Sequence, residues 1–185
     1  MPFRAEITAS AAMIFLSLAA PAAAQPYPDP APQVLAAMEK LAWLKGEWEG
    51  EGWRATQSGR ENFSVRESVS EELGGLVILA RGRGWSVGED GKEIESHKAF
   101  GVLSYDAFAQ TYRFDAFVKQ GYQTRTQPQV EENGYRWSHP AGPDTQMRYY
   151  ARLTDTGEWL ESGERCVKDA CAPFMEMRLK RMGAE

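Results

Sequence analysis

The stretch Leu44-Lys45-Gly46-Glu47-Trp48-Glu49-Gly50-Glu51-Gly52-Trp53 decides how the rest of the chain reads. Its even positions carry Gly46, Trp48, Gly50 and Gly52, and its odd positions Glu47, Glu49 and Glu51 are all acidic. This period-two alternation predicts a strand with a charged, solvated face and a face of glycines around one tryptophan. Glycines weaken an ordinary strand. They suit a strand that bends sharply, or one that another backbone or a ligand approaches closely. The stretch therefore reads as the opening strand of a closed barrel.

Upstream, Val34 to Leu44 places Leu35, Met38, Leu41 and Ala42 three and four residues apart, which predicts a short amphipathic helix. That helix would cap or plug one end of the barrel. Before it, residues 25–33 hold Pro26, Pro28, Pro30 and Pro32 and read as an extended linker. Residues 1–24 read as a secretory signal peptide: Arg4, an apolar run from Ala11 to Ala20, and the small-residue motif Ala22-Ala23-Ala24 before Gln25. The run falls well short of the roughly 20 residues that cross a bilayer. No membrane span is expected after cleavage, and the Ala-rich leader points to a bacterial periplasm or the exterior.

Downstream, strand-like runs alternate with turn signals, and no other segment has a helical period. Candidate strands are 45–56, 61–73, 75–87, 94–106, 110–119, 121–131, 134–139, 145–154, 157–166 and 172–182. The connections include Gly74-Gly75, Glu89-Asp90-Gly91, Glu132-Asn133-Gly134 and Asp155-Thr156-Gly157. About ten short strands with tight connections predict an all-β, antiparallel, up-and-down barrel, with a two-sheet sandwich as the alternative. Residues 34–185 form a single domain on this reading, and they are long enough for a real core.

The alternation also assigns faces. Phe63, Val65 and Val69 share one face of the second strand. Tyr112, Phe114, Ala116 and Val118 share one in the fifth, and Tyr135, Trp137 and His139 in the seventh. Met147, Tyr149 and Ala151 follow in the eighth, and Met175, Met177 and Leu179 in the last. An aromatic, Met-rich inner surface is either a packed core or the wall of an apolar pocket.

Net charge is −5 and there is no basic block, so nucleic acid and anionic membrane surfaces are poor partners. Cys166 and Cys171 are the only cysteines, with four residues between them. In an oxidising compartment such a pair forms a disulfide across a hairpin end. His97 and His139 are the only histidines, and neither lies in a metal-binding spacing, so no metal site is expected. No nucleophile elbow and no phosphate loop is present. Arg81 and Arg83 share a face with Val77 and Leu79; the smaller set Leu76, Ile78, Ala80 and Gly82 is the better candidate for the interior.

Gly46-x-Trp48-x-Gly50-x-Gly52 after a short helix resembles the opening of calycin-type barrels, with the Gly-x-Trp element similar to that of lipocalins. The fuller glycine pattern resembles nitrobindin-like haem-binding barrels and related bacterial lipocalin-like domains of unknown function. Phe100 to Asp106 followed by Tyr112-Arg113-Phe114 resembles the middle of those domains. The resemblance implies that Trp48 closes one barrel end and that a late arginine, here Arg181, covers it. Gly46, Trp48, Gly50, Gly52 and Arg181 are then structural. It also implies a haem held by a late histidine. The chain departs there, since no histidine follows His139 and the last strand carries Met175 and Met177.

The resulting expectation is a secreted barrel that binds a small, largely hydrophobic molecule through Tyr112, Phe114, Trp137, Met147 and Tyr149, with His139 as a polar or ligating group. The alternatives are an enzyme on the same barrel, for which no catalytic residue is nominated, or a solid-cored structural domain.

Overall fold

A computed structural model describes residues 29–183. The expected signal peptide and residues 25–28 of the expected linker lie outside them. Helix α1 (Pro32–Glu39) is followed by a 3-10 turn (Ala42–Leu44). Eleven strands come next: β1 (Gly46–Thr56), β2 (Gly59–Glu72), β3 (Val77–Val87), β4 (Glu93–Asp106), β5 (Thr111–Val118) and β6 (Gln123–Thr126). Then come β7 (Gln129–Glu131), β8 (Gly134–Gly142), β9 (Thr145–Leu153), β10 (Trp159–Val167) and β11 (Ala170–Arg181).

All pairings are antiparallel and join chain neighbours, apart from β1 with β11. The sheet order is β6-β5-β4-β3-β2-β1-β11-β10-β9-β8-β7. The expected closed ten-stranded barrel is corrected on two points. The run 121–131 is two short strands, because buried Pro128 has no N–H to give a ladder. Among the described residues no ladder joins β6 to β7 or β8, so the sheet is curled into a half-barrel with β6 and β7 at its edges. Where the edges approach, Thr126 Oγ1 donates to the Ser138 carbonyl at 3.0 Å.

Pro32 is the first residue of α1, not the end of a linker, which suits a proline whose missing N–H has no helical partner at that position. Met38 and Leu41 are buried as the helical period requires, but Leu35 is exposed and Val34 packs on the core instead. An eight-residue helix is too short to stand alone in water. Burial of Met38, Leu41 and Leu44 holds this segment down, each contributing about 1.5–3 kcal/mol.

The segment closes one end of the half-barrel. Trp43 and Leu44 pack with Trp48, Tyr135, Trp159 and Leu179. Trp159 meets both other indoles edge-on, Trp43 at 5.7 Å and Trp48 at 5.8 Å between ring centroids. Trp48 is fully buried, and its Nε1 donates to the Leu44 carbonyl at 2.8 Å.

The first strand's glycines have a steric cause. Gly46 has φ +121°, and a Cβ there would collide with the Arg181 guanidinium. At Gly52 a Cβ would lie 2.6 Å from the Glu176 carbonyl and 2.6 Å from the Phe63 ring. The glycines let β11 and Phe63 close tightly on β1. Arg181 sits opposite Trp48 in the ladder, its guanidinium 4.1 Å from the indole centroid. It also donates to the Lys45 carbonyl, and to the Trp43 carbonyl at 2.8 Å.

At the opposite end, Cys166 and Cys171 face each other across the β10–β11 hairpin and are disulfide-bonded. The bond fits an oxidising compartment. No helix among the described residues is long and apolar enough to cross a membrane.

Candidate functional site

The concave face of the half-barrel encloses a cavity of about 300 Å³. Strand register fixes its walls. Opposite Gly52, Gly50 and Trp48 the pleat of β2 turns Phe63, Val65 and Glu67 inward. Opposite Val65, Glu67 and Val69, β3 offers Gly84, Gly82 and Ala80, and β4 beside them offers His97, Ala99 and Gly101. Apart from His97, these β3 and β4 positions carry only glycine and alanine, and that leaves the space. A Cβ at Gly82 would run into the Glu67 carboxylate, so Gly82 is the seat on which that side chain lies.

The facing wall is aromatic. Phe114 of β5, Trp137 of β8 and Tyr149 of β9 point inward, and Met175 and Met177 of β11 complete it. Trp137 and Tyr149 are cross-strand partners and stack face to face, with centroids 4.0 Å apart and planes 6° from parallel. Phe114 meets Trp137 edge-on at 5.1 Å, and Phe174 meets Tyr149 edge-on at 5.5 Å.

Of the residues expected to bind ligand, Phe114, Trp137 and Tyr149 therefore line one cavity. Tyr112, His139 and Met147 share the inward face but do not line it. Tyr112 lies toward the capped end, where its hydroxyl donates to the Ala37 carbonyl at 2.8 Å. His139 and Met147 pair with each other beyond the Trp137–Tyr149 pair. The imidazole stacks on Trp137 at 5.7 Å, with Nδ1 3.0 Å from the Pro140 carbonyl oxygen.

Two carboxylic acids in the deep wall were not among the expected residues: Glu67 on β2 and Glu161 on β10. Glu67 is the ladder partner of Trp48, and Glu161 lies one inward position beyond Trp159, so both sit just above the indole floor. Each keeps some accessible surface because it lines the void, yet protein surrounds both. Burial, reinforced by the nearby Glu161 charge, pushes Glu67 up to about 8. Burial pushes Glu161 up to about 7, with the Trp159 indole pulling the other way. That indole N–H nevertheless lacks a hydrogen bond of good geometry. Burial, then the same two carboxyls, raises Tyr135 well above the ordinary phenol value. Tyr149 is raised to about 12 by burial and Glu161.

The cavity's cation is already committed. Arg54 binds Glu61 through two hydrogen bonds, 3.0 and 3.2 Å, toward the end of β1 remote from the cap. Hydrogen bonding to Arg54, then to Ser86, lowers the Glu61 pKa. His97 faces the same end; burial and then Arg54 lower its pKa, so it is neutral at pH 7. Among the described residues, neither Glu67 nor Glu161 has an ion-pair partner.

The outer surface absorbs the remaining charges. Arg83 pairs with Glu95 at 2.9 Å, and Arg81 lies over Phe100 at 5.4 Å. Glu176 faces outward on β11, and its neighbour Arg178 pairs with Glu158 at 3.0 Å.

No family model matches the chain, and no curated protein matches it. Among solved structures, the chain is similar to the crystal structure of Rv2717c from M. tuberculosis, with a TM-score of 0.56 and 16% identity. The match covers 83% of this chain and 99% of that one. At this identity the likeness concerns the fold.

Proposed function

We propose that this protein is a secreted or periplasmic member of the calycin-type barrels that reversibly binds a small, largely apolar molecule in its lumen. The observation that carries the proposal is the cavity of about 300 Å³ between a glycine-rich wall and an aromatic, Met-lined wall. Small-molecule sites have this size and composition. Inward glycines at 82, 84 and 101 keep a void where larger residues would fill the core. That favours a container over a solid-cored domain. Stacking and dispersion from Phe114, Trp137 and Tyr149 would supply most of the affinity. The disulfide and the leader-like first 24 residues support export.

The residues do not fit a haem. The last strand presents Met175 and Met177 where the resemblance implies a late histidine. His139 stands outside the cavity wall, and His97 stands beside Arg54 rather than at the floor. The deep wall instead carries two acids.

Native mass spectrometry of the mature protein purified from its own compartment tests the proposal, together with an absorption spectrum and titration of tryptophan fluorescence by apolar probes and haemin. A retained small molecule or saturable quenching by an apolar probe is expected, with no Soret band. A protein that carries nothing and is quenched by no probe removes the reading.

A further inference from the structure

Glu67 and Glu161 are unexplained by an apolar container. Two carboxyls in one lumen cost stability unless something offsets them. A packed core would have used Leu or Met at both places. Neither acid holds up a wall: they make no ion pair among the described residues, and Glu67 occupies room that Gly82 vacates. The charged and titratable groups facing them are known. Arg54 is held by Glu61, His97 is neutral at pH 7, and Tyr135 and Tyr149 keep their phenol protons there. Among the described residues, no positive charge pairs with either acid.

The surroundings are those that recognise a cation. Flat aromatic faces attract a positive charge through their quadrupole, and desolvation strengthens that attraction. Phe114, Trp137, Tyr149 and Trp159 present rings to the same void as the two acids. We propose that the lumen is selective for a small apolar monocation, such as a protonated or quaternary amine. Its charge is met by Glu67 and Glu161 and its apolar body by the aromatic wall. This rests on the lumenal-binding reading above and names the class of ligand.

Binding of a cation and release of carboxyl protons are linked. With Glu67 near 8 and Glu161 near 7 in the empty lumen, both acids hold much of their proton at pH 6. A cation entering the lumen favours their ionised forms, so its affinity rises from pH 6 to pH 9 and protons are released on binding. A neutral ligand of the same shape gains nothing from that change.

The test compares benzyltrimethylammonium with its uncharged isostere neopentylbenzene. Binding to the mature protein is followed by tryptophan fluorescence and calorimetry at pH 6 and pH 9. The quaternary cation has no proton to lose, so any pH dependence belongs to the protein. The expected result is at least tenfold tighter binding of the cation at pH 9, a preference that shrinks at pH 6, and proton release in calorimetry across buffers of different ionisation heat. Glu67→Gln and Glu161→Gln each reduce the preference, and the double variant abolishes it while still binding the isostere. Equal affinity for the two probes in the unaltered protein overturns the cation inference and leaves the apolar lumen standing. Binding of neither probe overturns both.

Discussion

The two lumenal acids make a prediction about stability that needs no ligand. An unfolded glutamate titrates near 4.5, whereas folded Glu67 titrates near 8 and Glu161 near 7. Between those limits the folded protein binds more protons than the unfolded chain. Stability from these groups is therefore fully present below pH 4.5 and is lost as pH rises through 7 and 8. Each tenfold change in proton affinity is worth about 1.4 kcal/mol. The Glu67 difference alone thus sets a ceiling of roughly 4–5 kcal/mol. Water entering the cavity relaxes part of it. We expect a loss of about 2–4 kcal/mol between pH 5 and pH 9, a Tm fall of roughly 4–16 °C for a domain of this size. Other groups act elsewhere. His97, with a lowered pKa, costs stability only below about pH 6.5, and Glu61, Glu95, Asp106 and Glu158, also lowered, matter only in acid. Urea denaturation of the ligand-free protein at pH 5, 7 and 9, beside Glu67→Gln, is the assay. The variant should flatten the decline and be the more stable protein at pH 9. A wild-type curve that is level from pH 5 to 9, or a variant with the same slope, would refute the enclosure of these carboxyls.

Three further outcomes follow from particular contacts. Arg181→Ala removes the guanidinium from Trp48 and two bonds to carbonyls of the capping turn; because the arginine is partly solvated, a loss of about 1–3 kcal/mol is expected in denaturant melts, and an unchanged midpoint would contradict the capping role. Reducing the Cys166–Cys171 bond, or replacing both residues by serine, releases a very short loop. That should lower stability by about 2 kcal/mol and Tm by roughly 4–8 °C without loss of fold by circular dichroism; a collapse of the β signal would show that the bond does more than restrain the hairpin. The His97 imidazole should titrate below pH 6.5 when followed by NMR, and a midpoint above that value would mean it is not enclosed beside Arg54.

Much of the fold was legible because period-two alternation survives wherever one strand face is wet. Gly46 to Trp53 gave the first strand and its inner face, and Asn133, at φ +58°, marks the hairpin its sequence suggested. The split at Pro128 was readable in principle, since proline breaks a ladder. The missing closure was not: which edges pair depends on long-range curvature, and no local pattern encodes it. In the site, alternation gave the aromatic wall but not its depth. Tyr112 and Phe114 sit on one face of one strand, and only the helix above decides that Tyr112 packs under the cap while Phe114 lines the cavity. The acids were missed for a different reason. Glu67 lies between Val65 and Val69 in inward parity, and Glu161 follows Trp159 in the same parity. A charged residue breaking an apolar face was the available signal. Gly82, which carries no nucleotide-binding context, marks the room made for Glu67. Sequences break local rules at functional sites and compensate elsewhere.

Lumenal binding requires that the cavity beside Trp137 and Tyr149 take a ligand. Ala116 points into it opposite Gly101, so Ala116→Phe fills the space with little change to the outer surface. Fluorescence titration of both proteins with one apolar probe is the most direct test. Saturable, one-to-one quenching is expected in the unaltered protein, and at least a tenfold weaker response in the filled one. Equal binding by the two proteins would place the site elsewhere and contradict lumenal binding.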